Sequence, residues 1–102
     1  MADNVLEIAE IEVIEGEETA FERAVAEASP HFRESPGCLS LKLLRSIEHP
    51  SRYRLVVGWD SVEAHILTFR ASPGFQEWRR LAGPYFASPP RVEHVRAALE
   101  AF

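Results

Sequence analysis

The sequence is poor in cysteine, since Cys38 is the only one among 102 residues. A single thiol excludes an intrachain disulfide and a zinc site built from several cysteines, and it agrees with a reducing compartment. No apolar run approaches the roughly 20 residues that a membrane-spanning helix needs, and residues 1–4 contain no basic leader. We therefore expect a cytoplasmic protein that does not associate with a membrane.

The sequence also lacks an excess of basic residues and the compact motifs of many enzymes. Lys and Arg number 11 against 16 Asp and Glu, a net charge of -5, which argues against a nucleic-acid partner. There is no Gly-rich phosphate loop, no His-Glu-x-x-His zinc motif and no Gly-x-Ser-x-Gly elbow. The sequence therefore predicts no metal site, and it excludes the enzyme classes that these motifs mark.

What the sequence does contain is the composition of an ordinary globular protein. Its 46% hydrophobic and 26% charged residues separate it from disordered chains, which are poorer in apolar residues. A chain of this length buries roughly 60 to 70% of the surface that its unfolded form exposes. We therefore expect one domain over residues 1–102, built around one core.

The first half of the chain predicts a strand, a helix and a hairpin. Residues 5–14 have apolar side chains in both phases of a two-residue repeat, which is typical of a strand covered on both faces. Residues 17–29 have an apolar stripe at helical spacing. Pro30 leaves two outcomes open: the helix ends there, or it continues for one turn and adds Phe32 to the stripe. Two strands follow, at residues 38–46 and 52–59. In the first strand we expect Leu39, Leu41 and Leu43 to share a face. In the second strand the residues expected on one face are Tyr53, Leu55, Val57 and Trp59.

The second half predicts two helices and a last strand. Asp60-Ser61 supplies capping side chains, after which Val62, Ile66 and Phe69 recur at helical spacing. A shorter helix begins at Ser72-Pro73 and ends at Gly83-Pro84. Its expected inner face consists of Phe75, Trp78, Leu81 and Ala82. Residues 91–97 alternate as a strand that brings Val92 and His94 to one face.

This order of elements predicts an α+β fold of the ferredoxin-like βαββαβ type, with a four-stranded antiparallel sheet covered by helices on one face. The other face would then be bare, although apolar residues occupy both phases of the strands. Exposed apolar patches of more than a few hundred Å² usually mark association surfaces. We therefore expect a homodimer in which the bare sheet faces of two copies meet.

Two histidines are candidates for the chemistry of a site. His65 lies about 60° from the stripe of Val62, Ile66 and Phe69, near the seam between helix and sheet. An imidazole that titrates near neutral pH could act there as a general base, although a boundary histidine bonded to backbone or water explains it as well. His94 points either inward or into the dimer seam, and a structural role remains its alternative.

Aromatic and charged side chains allow further alternatives. The aromatic residues of the second half would either enclose a flat aromatic ligand or form a small core. They are Trp59, Phe69, Phe75, Trp78, Tyr85 and Phe86. Arg79 and Arg80 offer an anion-binding guanidinium unless solvent takes both. Glu10 and Glu12 share a strand phase, either as paired carboxylates in a cleft or as ion-pair partners of neighbouring arginines.

Several strings of the sequence resemble the antibiotic biosynthesis monooxygenase (ABM) domain family over nearly the whole chain. They are Ser35-Pro36-Gly37-Cys38-Leu39-Ser40, Val57-Gly58-Trp59-Asp60-Ser61-x-Glu63-Ala64-His65, Ser72-Pro73-x-Phe75 and Pro90-x-Val92-Glu93-His94. The resemblance implies a dimeric α/β barrel with a pocket between sheet and helices in each subunit. Members of this family include oxygenases that convert phenolic or anthrone-type molecules to quinones without metal, flavin or haem, and relatives that act on quinols.

The resemblance also implies roles for particular residues. On the family's chemistry His65 would be the catalytic base and Arg79 the group that stabilises an anion. Trp59 and Phe75 would form pocket walls, and Phe69, Trp78 and His94 would complete the substrate-binding set. The implied function is a cofactor-independent monooxygenase that acts on a small aromatic, phenolic or quinol-type substrate.

Two other functions occur on the same fold. The first is a non-catalytic homodimer that binds a small aromatic ligand, because many members of the family have no established reaction. The second is haem degradation, which in one branch of the superfamily uses an Asn on the first strand and a His four residues after the Phe of the helical segment. Here Asn4 precedes the strand and Arg79 stands four residues after Phe75, which disfavours haem.

Overall fold

The computed structural model describes residues 4–102. Residues 1–3 lie outside the described residues, and with them most of the stretch in which no basic leader is expected. The elements are β1 (Val5–Glu12), α1 (Glu18–Arg33), β2 (Cys38–Arg45), β3 (Arg52–Trp59), a π-helical segment (Ala64–Phe69), α2 (Pro73–Ala82), a 3-10 turn (Gly83–Tyr85) and β4 (Arg91–Val95). Over these residues, no helix is both long enough and apolar enough to span a membrane.

The four strands form one open antiparallel sheet in the order β2-β3-β1-β4. The two central strands are therefore β1 and β3, and the helices pack on one face, here called the inner face. This is the ferredoxin-like arrangement, so the predicted fold class is confirmed. Its sheet is not closed into a barrel within one chain, because β2 and β4 remain as edges.

The alternation of β3 decides which side chains enter the core. Tyr53, Leu55, Val57 and Trp59 are all fully buried on the inner face, as predicted. In β1 the residues Val5, Glu7, Ala9 and Ile11 occupy the same face. The opposite phase of β1 is not covered within one chain, since Leu6 is 39% exposed. The outer face of the sheet thus keeps an apolar surface.

The structure corrects one prediction in β2. The pairing of β2 with β3 shifts between Cys38 and Ser40, so that Cys38 pairs with Trp59 and Leu41 with Val57. A β-bulge of this kind leaves one residue without a partner. Leu39 is that residue and it is exposed. The prediction that Leu39 shares a face with Leu41 and Leu43 is therefore wrong.

Helix α1 follows the second of the two predicted outcomes. It continues through Pro30 to Arg33, and Phe32 is fully buried in the core. Proline has no N–H to donate to the carbonyl of Ala26, four residues earlier. The Ser29 hydroxyl donates to this carbonyl instead, at 2.9 Å. Because a neighbouring side chain satisfies the acceptor, the helix tolerates the proline and buries one more aromatic ring.

The segment after β3 differs most from its prediction. Its buried residues are Ala64, His65 and Phe69, whereas Ile66, predicted to face the core, is 38% exposed. The backbone N–H of Arg70 donates to the carbonyl of His65 at 3.0 Å, which is the i→i+5 bond of a π-helix. The wider turn rotates the side chains relative to ordinary α-helical spacing. His65 consequently lies inside the protein and not at its boundary.

The last two elements agree closely with the sequence. Helix α2 begins after Ser72, whose hydroxyl accepts the N–H of Phe75 at 3.3 Å, and Pro73 is its first residue. Its buried residues are Trp78 and Ala82. Strand β4 ends at Val95, two residues earlier than predicted, because its pairing with β1 stops at Leu6.

Candidate functional site

A cavity of about 700 Å³ lies between the inner face of the sheet and the helical elements. Its walls are mostly apolar and come from all of these parts of the fold. They include Ile11, Leu55, Phe75, Trp78, Phe86 and Val92. The polar side chains that reach it are Glu7, His65, Arg70, Arg79 and Ser88. A small number of polar groups in an apolar cavity of this size is typical of a small-molecule binding site.

Glu7 is the carboxylate that lines this cavity. It lies in the apolar phase of β1, between Val5 and Ala9, and is only 5% exposed. The indole Nε1 of Trp59 donates to Glu7 Oε1 at 3.0 Å. Burial raises the pKa of Glu7, while the Trp59 hydrogen bond and the charge of Arg70 act in the opposite direction. Burial of a carboxylate costs folding free energy, and such a group lining a cavity is a candidate functional residue.

His65 connects Glu7 to His94. Its Nδ1 lies 2.8 Å from Nε2 of His94, and its Nε2 lies 3.4 Å from Oε1 of Glu7. The imidazole ring stacks on Trp59, with the ring centroids 5.3 Å apart and the planes within 14°. These contacts use both nitrogens of His65. We call Glu7, His65 and His94 the proton row.

The charge of His65 follows from its surroundings. Burial first, and then the charges of Arg70 and His94, together lower its pKa to about 4. At neutral pH the ring is therefore uncharged, and the 3.4 Å approach to Glu7 is a contact between a dipole and a carboxyl group, not an ion pair. An uncharged imidazole has one N–H and one lone pair.

The positions of the protons in the row are constrained by this chemistry. An ionised Glu7 can only accept, so the tautomer of His65 that suits it has its N–H at Nε2, 3.4 Å from the carboxylate, and leaves Nδ1 to accept from His94. Protonation of Glu7 permits the reverse order. The row can thus change its proton arrangement without moving a heavy atom, which suits a site that handles a proton.

Two arginines line the cavity. Arg70 follows the π-helical segment and Arg79 lies on α2, with its guanidinium 5.9 Å from the centre of the Phe75 ring. Among residues 4–102 neither of them forms a salt bridge. Two guanidinium groups that line one cavity, on a protein of net charge -5, make this cavity attractive to an anion.

Comparison with known proteins identifies the family. A sequence model described as antibiotic biosynthesis monooxygenase matches residues 4–81. The chain belongs to this family. A candidate antibiotic biosynthesis monooxygenase from Bordetella bronchiseptica is 48% identical with a TM-score of 0.93, over 95% of this chain and 99% of that one. The uncharacterised protein YczJ of Bacillus subtilis (strain 168) is 34% identical over 92 residues, which are 90% of this chain and 97% of YczJ.

A more distant family likeness carries a functional name. A mutant of SnoaB, a cofactor-independent oxygenase from Streptomyces nogalater, has a TM-score of 0.82 and 22% identity, with 98% of each chain covered. At this identity the likeness concerns the fold alone. Among residues 4–102 of this chain, no group of three His, Cys, Asp or Glu side chains is arranged so that it could hold a metal ion.

The predicted site residues occupy three kinds of position in this ABM fold. His65, Phe75, Trp78 and Arg79 line the cavity together. Trp59 and Phe69 are fully buried behind its wall and contact each other at 5.5 Å between centroids. His94 is half-buried and points to the inner face, where it meets His65. Of the two orientations expected for His94, the structure has the inward one.

The structure also decides between the alternatives for the remaining charges. Arg52 and Arg54 pair with Glu10 and Glu12 on the outer face, so the ion-pair interpretation of the two acids is correct. Among the charged side chains of the cavity, Glu7 and Arg70 were not predicted. A signal for Glu7 was present, because it is the one charged residue in the phase of Val5, Ala9 and Ile11.

Proposed function

We propose that this ABM family member is a cytoplasmic, cofactor-independent monooxygenase that oxidises a small aromatic, phenolic or quinol-type substrate in the cavity. The observation that carries the proposal is the proton row at the end of an apolar cavity of about 700 Å³. The fold likeness to SnoaB, a cofactor-independent oxygenase, supports the same class of reaction.

The reaction places modest demands on the protein. For a substrate with an activated CH2 group, loss of one proton gives a carbanion or enolate that reduces dioxygen. The carbon exchanges its two hydrogens for one oxygen atom, and the second oxygen atom leaves as water. The substrate supplies all the electrons, so the protein has to take a proton, orient the substrate and enclose it.

The predicted site residues have distinct parts in this proposal. His65 is the centre of the proton row, where its imidazole, uncharged at neutral pH, lies between Glu7 and His94. Phe75 and Trp78 hold the substrate ring on the cavity walls. Arg79 stabilises the oxyanion as it forms. Trp59 and Phe69 support His65 from behind the wall.

Oxygen uptake tests the proposal directly. Purified protein is mixed with a panel of anthrones and hydroquinones in an oxygen electrode, and His65→Ala is compared with wild type. A matched control is Leu67→Ala, which shortens an exposed side chain of the same π-helical segment. We expect uptake above the uncatalysed rate for at least one compound, its loss in His65→Ala and its retention in Leu67→Ala.

Two results would contradict this function. Uptake at the uncatalysed rate across the panel, with ligand binding seen by calorimetry, would favour the non-catalytic binding homodimer. A Soret shift on mixing with haem would favour the haem-binding relative. Wild-type rates in His65→Ala would remove His65 from the reaction.

We also propose that two copies pair through the outer face of the sheet to form a dimeric barrel. Leu6 pairs with Val95 and Ile8 with Val56 on this face, which gives a contiguous apolar patch across three strands. Leu6 and Val95 are both more than a third exposed, and a second copy would cover them. Light scattering that gives a monomer at micromolar concentration would contradict this pairing.

A further inference from the structure

We infer that Glu7 is the catalytic residue that takes the proton from the substrate, and that His65 and His94 are positioning residues behind it. This inference rests on the proposed oxygenase function and assigns its proton-accepting atom. The carboxylate was not predicted as part of the site, and the family resemblance gave the role of base to His65.

The contacts of the proton row leave one oxygen atom available. Nδ1 of His65 is engaged by His94 at 2.8 Å, and its Nε2 faces Oε1 of Glu7 at 3.4 Å, so the imidazole is turned toward the carboxylate. Oε1 of Glu7 accepts from Trp59 and faces His65. Oε2 of Glu7 has no hydrogen-bond partner within residues 4–102. It is not completely buried, because the only completely buried side-chain N or O atom without a partner in these residues is Oγ of Ser35. Because Glu7 lines the cavity, the open surface of Oε2 is the place where a substrate proton meets the row.

The surroundings of Glu7 favour this role. The titratable and charged groups that face it are His65 from the π-helical segment, His94 from β4, Arg70 and, more remotely, Cys38 of β2. Burial raises the pKa of Glu7 more than Trp59 and Arg70 lower it. A carboxylate with a raised pKa is a stronger base, and its proton affinity is closer to that of an activated C–H or O–H group.

The step is a simple proton transfer. A C–H bond of the substrate breaks, its electron pair stays on the substrate as an enolate, and a new O–H bond forms at Oε2 of Glu7. Glu7 changes from a carboxylate to a carboxylic acid, and His65 keeps Oε1 in place during this change. The negative charge that leaves Glu7 appears on the substrate, which Arg70 and Arg79 face.

The test separates proton transfer from oxygenation. Anthrone is incubated with the protein in D2O without oxygen, and NMR follows the exchange of its CH2 hydrogens for deuterium. We compare wild type, Glu7→Gln and His65→Gln, and we measure the anthrone dissociation constant of each. We expect wild type to exceed the buffer rate and Glu7→Gln to lose about 100-fold or more of that excess while still binding anthrone. His65→Gln should retain part of the exchange with a displaced pH profile.

The wild-type protein supplies a second measurement that does not depend on the folding of a variant. The pH at which Glu7 ionises is read from its side-chain carboxyl carbon by NMR. Exchange should rise with pH through this same titration, because only the carboxylate accepts a proton. Exchange that stays constant across the titration would overturn the inference, as would wild-type exchange in Glu7→Gln.

The outcomes distinguish this inference from the proposed function. Exchange that depends on Glu7, without oxygen uptake in air, would support Glu7 as the base and refute the monooxygenase. Oxygen uptake that survives in Glu7→Gln would support the monooxygenase and refute Glu7 as the base.

Discussion

The buried imidazole of His65 should make the stability of the protein depend on pH in a defined window. Its pKa is about 4 in the fold, against an ordinary value of 6.5. Below pH 6.5 the unfolded chain gains a proton at this residue and the folded chain does not, so the folded state loses stability as pH falls. Each pH unit is worth about 1.4 kcal/mol. The loss reaches about 2 kcal/mol at pH 5 and about 3 kcal/mol at pH 4.

Glu7 contributes with the opposite sign. Its pKa is raised in the fold, so the folded chain takes up a proton at a higher pH than the unfolded chain does. Acidification therefore favours the fold through Glu7 while it disfavours the fold through His65. A stability curve of the wild type alone would mix the two contributions. The difference between wild type and His65→Gln isolates the contribution of His65.

Urea unfolding at several pH values from 7 to 4 measures this difference. We expect the free energy of unfolding of wild type, minus that of His65→Gln, to fall by about 3 kcal/mol over the range. His49→Gln, in the exposed turn between β2 and β3, controls for the loss of an imidazole as such. A difference that does not change with pH would refute the conclusion that His65 is held uncharged, and with it the proton arrangement of the row.

Three further predictions concern the remaining parts of the molecule. Arg79→Gln should raise the KM or lower the kcat of the oxidation about tenfold or more. The control Arg80→Gln loses only an exposed ion pair with Glu77 and should change neither constant. Equal steady-state kinetics in both variants would exclude the role of Arg79. Leu6→Glu should give a monomer by light scattering, because two like charges would meet across the proposed sheet pairing; an unchanged dimer would place the interface elsewhere. Tyr53→Phe removes a 2.6 Å hydrogen bond to Glu22 and should lower the free energy of unfolding by about 1.5 kcal/mol; a loss below 0.5 kcal/mol would show that water replaces this bond.

The predictable parts of the fold are those that local chemistry specifies. The alternation of Tyr53, Leu55 and Val57 fixes the inner face of β3, and the Ser72-Pro73 pair fixes the start of α2. Both signals lie within a few residues of the structure they predict. The continuation of α1 through Pro30 was left open, since it depends on whether the Ala26 carbonyl finds another donor.

The errors arise where tertiary packing overrides a simple repeat. The bulge at Leu39 adds a residue to β2 that periodicity does not reveal, and the π-helical turn moves Ile66 outward while it moves His65 inward. The predicted position of His65 is affected because it lies on this irregular segment: the residue is buried inside the protein, whereas the sequence placed it near the seam between helix and sheet. Glu7 escapes prediction for another reason: one charge in an otherwise apolar strand phase does not itself show whether the side chain is buried or lies at an exposed end of the strand.

The turn before β2 ties the family motif to the site. Gly37 has a φ of 85°, and its carbonyl accepts the N–H of Asp60 at 2.8 Å. A Cβ at Gly37 would lie 2.6 Å from Oδ1 of Asp60 and 2.7 Å from the Cβ of Ala64, which is closer than packed atoms allow. Ala64 immediately precedes His65. The glycine of the Ser35-Pro36-Gly37 turn therefore does more than reverse the chain, because it lets the π-helical segment approach β2 and so sets the depth at which His65 meets Glu7.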